Sequence, residues 1–295
     1  MRSSTGGNRP FTSVKDDSGV MTGAIRARIR KPFSRTAAIL KLVRAARKFA
    51  ITDGRYTVRL ARTNPEVRSA LELRYQVFNI EIAGRSPQPG EQAIDFDEYD
   101  HRCRHLVVIE NATGRTVGTY RINSIETAKR PSGFYSFGEF TIEDLPAEVL
   151  ERGMEVGRAC IAPEHRNTKV LFLLWKGLAT YLQATGKRYL FGCCSLFTND
   201  AAIGRAAHQQ LEAGGHFMPE FRVMPKANGI EPAVEPTFDS VAVELPPLFN
   251  MYLRVGAKVC SPPMLDREFG TIDFFVVFDL EKMNPKYRKM FFGDA

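Results

Sequence analysis

The fold of this chain is decided by one stretch, which reads Met154-Glu155-Val156-Gly157-Arg158-Ala159-Cys160-Ile161-Ala162-Pro163-Glu164-His165-Arg166. Its first part is short and alternates apolar with polar side chains, which predicts a strand that ends at Ala162-Pro163. From near Arg166 to Tyr181 apolar residues recur at steps of three and four, which predicts a helix. A strand that leads directly into a helix N-terminus is a common place for proteins to bind an anionic group.

One glycine inside this strand changes which side chains can meet. Strict alternation would place Glu155 and Arg158 on opposite faces of a sheet. Gly157 lies between them, and a glycine within a strand often marks a bulge, where one extra residue is inserted. We therefore expect a bulge at Val156-Gly157, which lets the carboxylate and the guanidinium reach one cleft.

The composition is that of a soluble globular protein with a preference for anionic partners. The 295 residues suffice for one large or two ordinary domains, and 44% hydrophobic with 25% charged residues is ordinary for such a protein. The net charge of +8 favours nucleic acid, membrane lipid or an acidic protein as partner. The five cysteines form no CxxC pair, which indicates a reducing, cytoplasmic environment. No apolar run approaches the length of a membrane span.

Residues 1–52 are expected to form an arm outside the folded domain, which takes up residues 53–295. Residues 1–23 are polar and rich in Gly, Ser and Thr, which predicts disorder. From Arg26 to Lys48 the chain is basic without an acid, and a helix from about Ser34 would separate its apolar and basic residues. This pattern is typical of an amphipathic helix on anionic lipid, so we expect peripheral contact with the inner membrane. The alternative is a solvated arm that packs its apolar edge on the body.

Arg74 stands where an apolar residue is expected. Asn64-Pro65 predicts the start of a helix, because Asn caps helices and Pro is favoured in their first turn. Arg74 falls in the middle of the apolar stripe of this helix, near Phe78. One interpretation is a side chain that extends to water. Its central position favours a buried guanidinium, which needs a carboxylate partner. Candidate partners follow in the acidic loop from Asp95 to His101, which contains Asp97 and Asp100.

The segment from His101 to His105 is not expected to bind a metal. His101 and His105 stand four apart with Cys103 between them, which is a spacing that metal ligands can use. His105, however, leads directly into a predicted strand, and no further ligands cluster nearby. Glycine-rich nucleotide loops of the Walker or Rossmann type are absent from the sequence as well. We therefore expect neither a bound metal nor a bound cofactor.

The order of predicted elements is strand, helix, hairpin, strand, helix, strand, helix, strand. Together with the junction Ile161-x-Pro163-x-x-Arg166, it resembles the GNAT N-acyltransferase superfamily. Four motifs resemble those of the acyl-homoserine-lactone synthase branch of this superfamily. They are Arg74-x-x-Val77-Phe78, Asp97-x-x-Asp100, Gly118-Thr119-Tyr120-Arg121 and Glu155-x-x-Arg158. Further stretches resemble the ornithine N-acyltransferases of ornithine-lipid synthesis. They are Phe134-Tyr135-Ser136, Glu139-Phe140, Glu155 to Cys160, Leu174-Trp175-Lys176-Gly177, Phe191-Gly192-Cys193, Pro247-Leu248 and Gly256-Ala257-Lys258-Val259. The resemblance extends over about residues 56–292.

The resemblance implies an α/β fold with a mixed central sheet flanked by helices, preceded here by the basic extension. It implies transfer of a fatty, 3-hydroxyacyl group to the α-amine of L-ornithine, the first step of ornithine-lipid synthesis. The implied donor is acyl carrier protein, whose acyl-phosphopantetheine is a co-substrate. Ornithine and the carrier protein are thus the expected partners, and no nucleic acid is expected.

The chemistry of this transfer assigns roles to the residues that match. Glu155 is the expected base, the backbone from Val156 to Ala159 supplies donors to the thioester oxygen, and Arg74, Arg121 and Arg158 face the cleft and order the acids and the acceptor. Arg74, Asp97, Asp100 and Arg121 are also expected to form a buried ion network that shapes the cleft. The distal ammonium of ornithine needs acids, and the candidates are Asp97, Asp100, Glu81 and Glu139. The expected site residues are Glu155 and Arg158 for catalysis, Arg74, Phe78, Asp97, Asp100, Arg121 and Glu139 for substrate, and Val156, Gly157, Ala159, Arg166 and Lys169 for the donor.

One departure from the superfamily bears on the donor. Typical acetyl-CoA users carry Arg-x-x-Gly-x-Gly/Ala at the helix start, whereas Lys169 and Leu171 replace the small residues here. This argues against ordinary CoA binding, but it fits phosphopantetheine, which has one phosphodiester instead of a diphosphate. Arg166 and Lys169 are expected to bind that phosphate.

Two other classes of function remain at this stage. The first is an N-acyltransferase for another amino acid, or a synthase of acyl-homoserine-lactone type. The second is a basic adaptor without catalytic activity, which binds membrane or nucleic acid. The spaced Arg, Asp and Glu residues in apolar surroundings count against the adaptor, as does the lack of aromatic residues interleaved with basic ones.

Overall fold

The computed structural model describes residues 49–231 and 242–292, together with Ala37, Leu40 and Arg44. The predicted disorder of residues 1–23 lies outside the described residues. Of the predicted amphipathic helix of the arm only these three residues are described, and they are helical and exposed. Phe49 is buried in the core and residues 50–52 join the central sheet. The folded body thus begins a few residues before the expected boundary at 53.

A mixed sheet forms the centre of the molecule, and the α/β architecture expected from the sequence is confirmed. Its described strands are β1 Ala50–Thr52, β2 Tyr56–Leu60, β3 Arg104–Glu110, β4 Thr116–Ser124, β5 Gly153–Ile161, β6 Tyr189–Leu196, β7 Lys258–Val259, β8 Met264–Asp266 and β9 Thr271–Asp279. They lie in the order β1-β2-β3-β4-β5-β6-β9-β7, and β8 also pairs with β9. Among these pairings only that of β5 with β6 is parallel.

The described helices are α1 Asn64–Arg74, α2 Ile125–Ala128, α3 Ser136–Glu139, α4 Ala147–Glu151, α5 Thr168–Thr185, α6 Ala201–Ala213, α7 Pro247–Val255 and α8 Pro285–Phe292. The start of α1 at Asn64-Pro65 is confirmed, but the predicted cap is wrong: Thr63 caps the helix, and Asn64 is its first residue. The sequence did not predict that α1 continues as a π-helix over Tyr75–Ile82. Such helices are rare and often lie at functional sites. No helix within the described ranges is long and apolar enough to cross a membrane.

Both faces of the sheet are covered. The main core lies on the face of α5 and α7, where Trp175 is fully buried with its ring 4.9 Å from that of Tyr252. The helix α5 approaches the sheet closely at Gly177, since an added Cβ would lie 2.9 Å from Val58. A smaller cluster, which includes Phe134 and Phe140, packs on the opposite face.

The strands β5 and β6 separate partway along their length. They pair only from Gly153 with Tyr189 to Glu155 with Phe191. Beyond that point β5 continues on β4 and β6 continues on β9, so an opening forms between them. This separation positions the candidate site.

The bulge in β5 lies later than expected. Gly157 keeps its pairing with Arg121, and Cys160 pairs with Thr119. Arg158 and Ala159 therefore stand together opposite one residue of β4, and Arg158 has a φ of 49°. A left-handed backbone is uncommon for a residue with a side chain and is often found at functional sites. The predicted position at Val156-Gly157 is wrong because Arg158, not the glycine, adopts the unusual conformation.

Candidate active site

A cavity of about 540 Å³ lies where β5 and β6 separate. Cys193 belongs to its wall on the face of the smaller cluster. Glu155 lies on that face because Tyr135 and Ser136 donate to it, and so does Arg121, whose partner Gly157 is two residues after Glu155 on β5. Tyr120 and Tyr252 belong to its wall on the face of the main core. Because the wall includes residues from both faces, the cavity passes through the sheet. Its two halves differ in chemistry.

Glu155 is fixed in the polar half by backbone hydrogen bonds. Its two carboxylate oxygens accept the N–H groups of Tyr135 at 3.0 Å and Ser136 at 2.7 Å, which precede and begin α3. Burial raises the pKa of the Glu155 carboxyl above its usual value, although these hydrogen bonds and the charge of Arg121 act in the opposite direction. A buried carboxylate with a raised pKa is the type of group that can accept a proton near neutral pH.

A network of arginines and aspartates supports this half from behind. Arg74 donates to Asp95 at 2.7 Å and to both oxygens of Asp100, at 2.7 and 3.1 Å. Arg121 donates to Asp97 and lies 3.4 Å from Asp100. Arg74 is fully buried, so its charge requires these carboxylates. The network holds Asp95, Asp97 and Arg121 in the wall of the cavity.

Unlike Arg74 and Arg121, Arg158 has no carboxylate within hydrogen-bond distance of its guanidinium. Its nearest recorded carboxylate oxygen belongs to Asp95 and lies 3.8 Å from Nε, which is beyond hydrogen-bond distance. Its guanidinium carbon lies 4.4 Å from the ring centre of Phe269 and 5.6 Å from that of Phe78. Such rings hold a guanidinium in place without using its N–H donors. Arg158 can therefore offer paired donors to a carboxylate in the cavity.

Two acids of the wall were not predicted from the sequence. Asp273 on β9 is 4% exposed and accepts a hydrogen bond from the hydroxyl of Thr271 at 3.0 Å. Burial raises the pKa of the Asp273 carboxyl to about 6. Glu268 lies in the turn between β8 and β9 and also lines the cavity. An aspartate inside the apolar run from Ile272 to Val277 is a buried polar residue, a signal that could have identified it.

The other half of the cavity is apolar and aromatic. Tyr120 and Tyr252 share a hydrogen bond of 3.2 Å between their hydroxyls, which satisfies both buried groups. Leu248 and Phe249 of α7 extend the apolar wall. The wall also contains four exposed large apolar side chains, Ile82, Phe96, Phe197 and Phe269. This half is suited to an apolar chain rather than to an ion.

Arg166 and Lys169 lie near the start of α5, away from the cavity wall. Arg166 donates two hydrogen bonds to the carboxylate of Glu81, of 2.5 and 2.6 Å. The ammonium of Lys169 lies 3.1 Å from the carboxylate of Asp53. The side chain of Asn167 accepts two backbone N–H groups of the first turn. A phosphate can bind here only if these groups exchange partners.

The structure brings most of the expected site residues to one cavity. Its wall includes Phe78, Asp97, Arg121, Glu155, Val156, Gly157, Arg158 and Ala159. Arg74, Asp100, Glu139, Arg166 and Lys169 do not line it. Arg74 was expected to face the cleft, and this is corrected because its guanidinium is turned to Asp95 and Asp100.

The acids expected to bind a distal ammonium are mostly engaged elsewhere. Asp97 and Asp100 pair with arginines of the network, and Glu81 pairs with Arg166. Glu139 has no such partner among the described residues, but it lies outside the wall. Burial and the charges of neighbouring acids raise the pKa of the Glu139 carboxyl to about 7.

Comparison with known proteins gives matches over most of the chain. Residues 73–176 match the family described as acetyltransferase (GNAT) domain. The chain is 32% identical over 255 residues to L-ornithine N(alpha)-acyltransferase of Rhizobium meliloti (strain 1021), which covers 80% of this chain and 84% of that protein. It is 31% identical over 258 residues to the protein of that name from Brucella abortus (strain 2308). This match covers 82% of this chain and 90% of the Brucella protein. Among solved structures, the AHL synthase LasI matches with a TM-score of 0.44 and 12% identity, covering 81% of this chain and 96% of its own.

Proposed function

The chain belongs to the L-ornithine N(alpha)-acyltransferase family, and we propose that its cavity transfers a fatty acyl group from a thioester to the α-amine of L-ornithine. The observation that supports this most is one cavity with a fixed carboxylate and a free guanidinium on one side of the sheet and apolar walls on the other. An amino acid fits the polar side and an acyl chain fits the apolar side. The product would be an N-acyl ornithine, the lyso form of an ornithine lipid.

The proposed base is Glu155. The α-amine is an ammonium at neutral pH and must lose a proton before its nitrogen attacks the thioester carbon. Each carboxylate oxygen can accept two hydrogen bonds, and the amides of Tyr135 and Ser136 occupy one position on each. The side chain of Ser136 hydrogen-bonds to the same carboxylate, and a position that remains can accept the proton, directly or through one water. When the C–S bond of the tetrahedral intermediate breaks, a proton passes to the departing thiolate and the amide remains.

Backbone donors of β5 are proposed to stabilise the oxygen of that intermediate. The bulge at Arg158 interrupts the regular pairing with β4, and the separation from β6 removes the partner strand on the other side. Amides between Val156 and Ala159 can then point into the cavity. Fixed backbone dipoles aimed at a developing negative charge are a common source of catalytic stabilisation.

Arg158 is proposed to bind the carboxylate of the acceptor. Arg74 and Arg121 are committed to aspartates, whereas the guanidinium of Arg158 has no recorded hydrogen bond among the described residues. A guanidinium binds a carboxylate through two parallel N–H···O bonds, which also fix its orientation. The amine next to that carboxylate would then lie near the bulge of β5.

The proposed donor is a 3-hydroxyacyl group on acyl carrier protein. The departure from the CoA-binding pattern at Lys169 and Leu171 supports this choice, as does the net charge of +8, which would attract an acidic protein. Arg166 and Lys169 are proposed to exchange Glu81 and Asp53 for the single phosphodiester of phosphopantetheine. The exposed positions of these pairs make that exchange inexpensive in free energy.

The basic segment within residues 1–52 is proposed to bind anionic lipid, which would keep the enzyme on the inner face of the membrane. Its amphipathic pattern supports this, and a lyso-lipid product would be released close to its destination. Flotation with anionic liposomes should be lost when residues 1–48 are removed. Unchanged flotation would refute the role of the arm. The cut is placed before Phe49, because that side chain is buried in the core.

A competition assay tests the proposed function. Purified protein is mixed with labelled 3-hydroxyacyl carrier protein and equal amounts of ornithine, lysine, glycine and tyrosine. Ornithine is expected to be acylated fastest and lysine next, because both carry a second ammonium. Equal acylation of glycine or tyrosine would refute the choice of acceptor, and a lack of any N-acyl amino acid would refute the activity.

A further inference from the structure

Asp273 occupies a position in the cavity wall that the reaction as described does not use. It lies on the same face of the sheet as Cys193, because Ser195 pairs directly with Asp273 and opposite residues of an antiparallel pair share a face. Glu155 belongs to that face as well, since Tyr135 and Ser136 of the covering segment donate to it. Asp273 is therefore in the polar half, where the amino acid is proposed to bind.

The charge of Asp273 is not neutralised by a neighbouring cation. Within the described ranges neither Asp273 nor Glu268 has an Arg, Lys or His in salt-bridge distance. Every aspartate of the network behind Arg121 has an arginine within that distance. The charges nearest to Asp273 include that of Asp266, another acid, and the hydrogen-bond partners of its carboxylate are the uncharged side chains of Ser195 and Thr271. A buried carboxylate without a cation is costly, and a cationic ligand would relieve that cost.

The register of the strands places Asp273 at the level of Arg158. Glu155 is level with Phe191 in the parallel pair, so Arg158 and the bulge are level with Cys194 and Ser195. Ser195 pairs with Asp273 on the next strand. Arg158 and Asp273 thus lie at the same level of the sheet, on strands to either side of β6, and the charge of Arg158 is close enough to favour the charged form of the Asp273 carboxyl. An amino acid with a carboxylate at one end and an ammonium at the other can lie between them.

We infer that Asp273, assisted by Glu268 at the exposed turn, binds the distal ammonium of ornithine and sets the preference for this acceptor. This inference rests on the proposed function. Arg158 holds the carboxylate, Asp273 holds the distal ammonium, and the α-amine between them faces the donor thioester. An alkyl ammonium such as that of lysine has a pKa of about 10.4, so the distal group remains charged at neutral pH.

This arrangement discriminates between ornithine and norvaline, which is ornithine without the distal amine. Norvaline would leave Asp273 without a partner and lose a charge-assisted hydrogen bond. We expect wild-type kcat/KM for ornithine to exceed that for norvaline on the order of 10- to 100-fold. In D273N this ratio is expected to fall close to one, mainly because KM for ornithine rises, while kcat/KM for norvaline is unchanged or higher.

D279N provides a matched control. Asp279 lies on the same strand and face as Asp273 and is also buried, but it pairs with Arg188 outside the cavity. D279N should lower the thermal stability and leave the ornithine to norvaline ratio unchanged. This separates a loss of stability from a loss of recognition.

Glu268→Gln is the second variant, because Glu268 is exposed and its substitution carries little risk to folding. A several-fold fall in the ratio for E268Q, smaller than for D273N, supports the subsite. An unchanged ratio in folded D273N overturns it, and if D273N does not fold, an unchanged ratio in E268Q overturns it. Failure of the wild-type enzyme to acylate either amino acid would instead refute the proposed function.

Discussion

The carboxylate of Glu155 accepts the backbone N–H of Ser136 at 2.7 Å, across 19 residues of sequence. A second oxygen of the same carboxylate accepts the N–H of Tyr135. The side chain of Glu155 therefore has two roles: it fixes the segment that covers the polar half of the cavity, and it is the proposed base. Both roles end when Glu155 is changed.

Glu155→Gln should reduce both the rate and the stability. The glutamine oxygen can accept one of the two amides, but its NH2 group would face the other donor. We expect a fall in kcat of about 100-fold or more from loss of the base, and a loss of stability of about 1–3 kcal/mol from the unpaired amide. Single-turnover kinetics and thermal unfolding measure the two effects.

Glu143→Gln is the control for that experiment, because it makes the same change at an exposed residue whose partner is Lys226. It should alter neither kcat nor the melting temperature appreciably. A Glu155→Gln enzyme that is less stable but has an unchanged kcat would show that Glu155 only holds the covering segment.

Arg74→Met should destabilise the fold strongly. It would leave Asp95 and Asp100 in the interior without the guanidinium that neutralises them. Removing one partner of a buried ion pair typically costs about 3–5 kcal/mol. Arg68→Gln, in an exposed pair with Glu72 one turn away, should cost less than about 1 kcal/mol. Denaturant unfolding that finds equal losses for the two variants would contradict the network.

The pairing of Arg74 could be foreseen, because an arginine inside an apolar helical stripe must find an acid and an acidic loop follows it. Of the two aspartates of that loop taken as site residues, Asp100 pairs with Arg74, whereas Asp97 pairs with Arg121. Asp95 of the same loop was not chosen as a site residue, although it lies next to both Arg74 and Arg158. Alternation and helical spacing act within single elements, so they located the strand–helix junction and the start of α1. They cannot choose among neighbouring acids of one loop.

Asp273 was missed for a different reason. Its position at the level of Arg158 depends on the pairing of β6 with β9, two strands that are far apart in the chain. The separation of β5 from β6 and the left-handed backbone at Arg158 likewise arise from the assembled sheet. Such juxtapositions leave no periodic pattern in the sequence, although the aspartate within an apolar strand was a visible local signal.

Glu81→Gln should improve the use of the donor if Arg166 binds its phosphate. The two bonds from Arg166 to Glu81 must break before a phosphodiester can bind, and the variant removes this competitor. We expect KM for acyl carrier protein to fall a few-fold, and to rise in Arg166→Gln. Both effects should shrink at high salt, because these groups are exposed.

Glu164→Gln serves as the matched control for the donor, since Glu164 is an exposed acid paired with Arg115. It should leave KM for the carrier protein unchanged. If Glu81→Gln and Arg166→Gln both behave like this control, Arg166 does not bind the donor.

Glu139→Gln should change how stability depends on pH. Burial and neighbouring acids raise the pKa of the Glu139 carboxyl from 4.5 to about 7, so the folded state holds this proton more tightly than the unfolded state. The stability linked to that proton is present below about pH 4.5 and is lost as the pH rises through about 7. The variant should therefore be more stable than wild type at pH 8, and the difference should shrink as the pH falls and disappear below about pH 4.5. Thermal melts that show no such pH-dependent difference would contradict the raised pKa.

The most direct test of the account uses L-ornithine labelled with ¹⁵N at the α-amine. The purified enzyme is given this acceptor and 3-hydroxyacyl carrier protein, and the product is fragmented by tandem mass spectrometry. The account predicts that the acyl group is bonded to the labelled nitrogen, because the carboxylate and the distal ammonium are held by Arg158 and Asp273. Acylation of the unlabelled distal nitrogen, or no acyl-ornithine from either a carrier-protein or a CoA thioester, would contradict it.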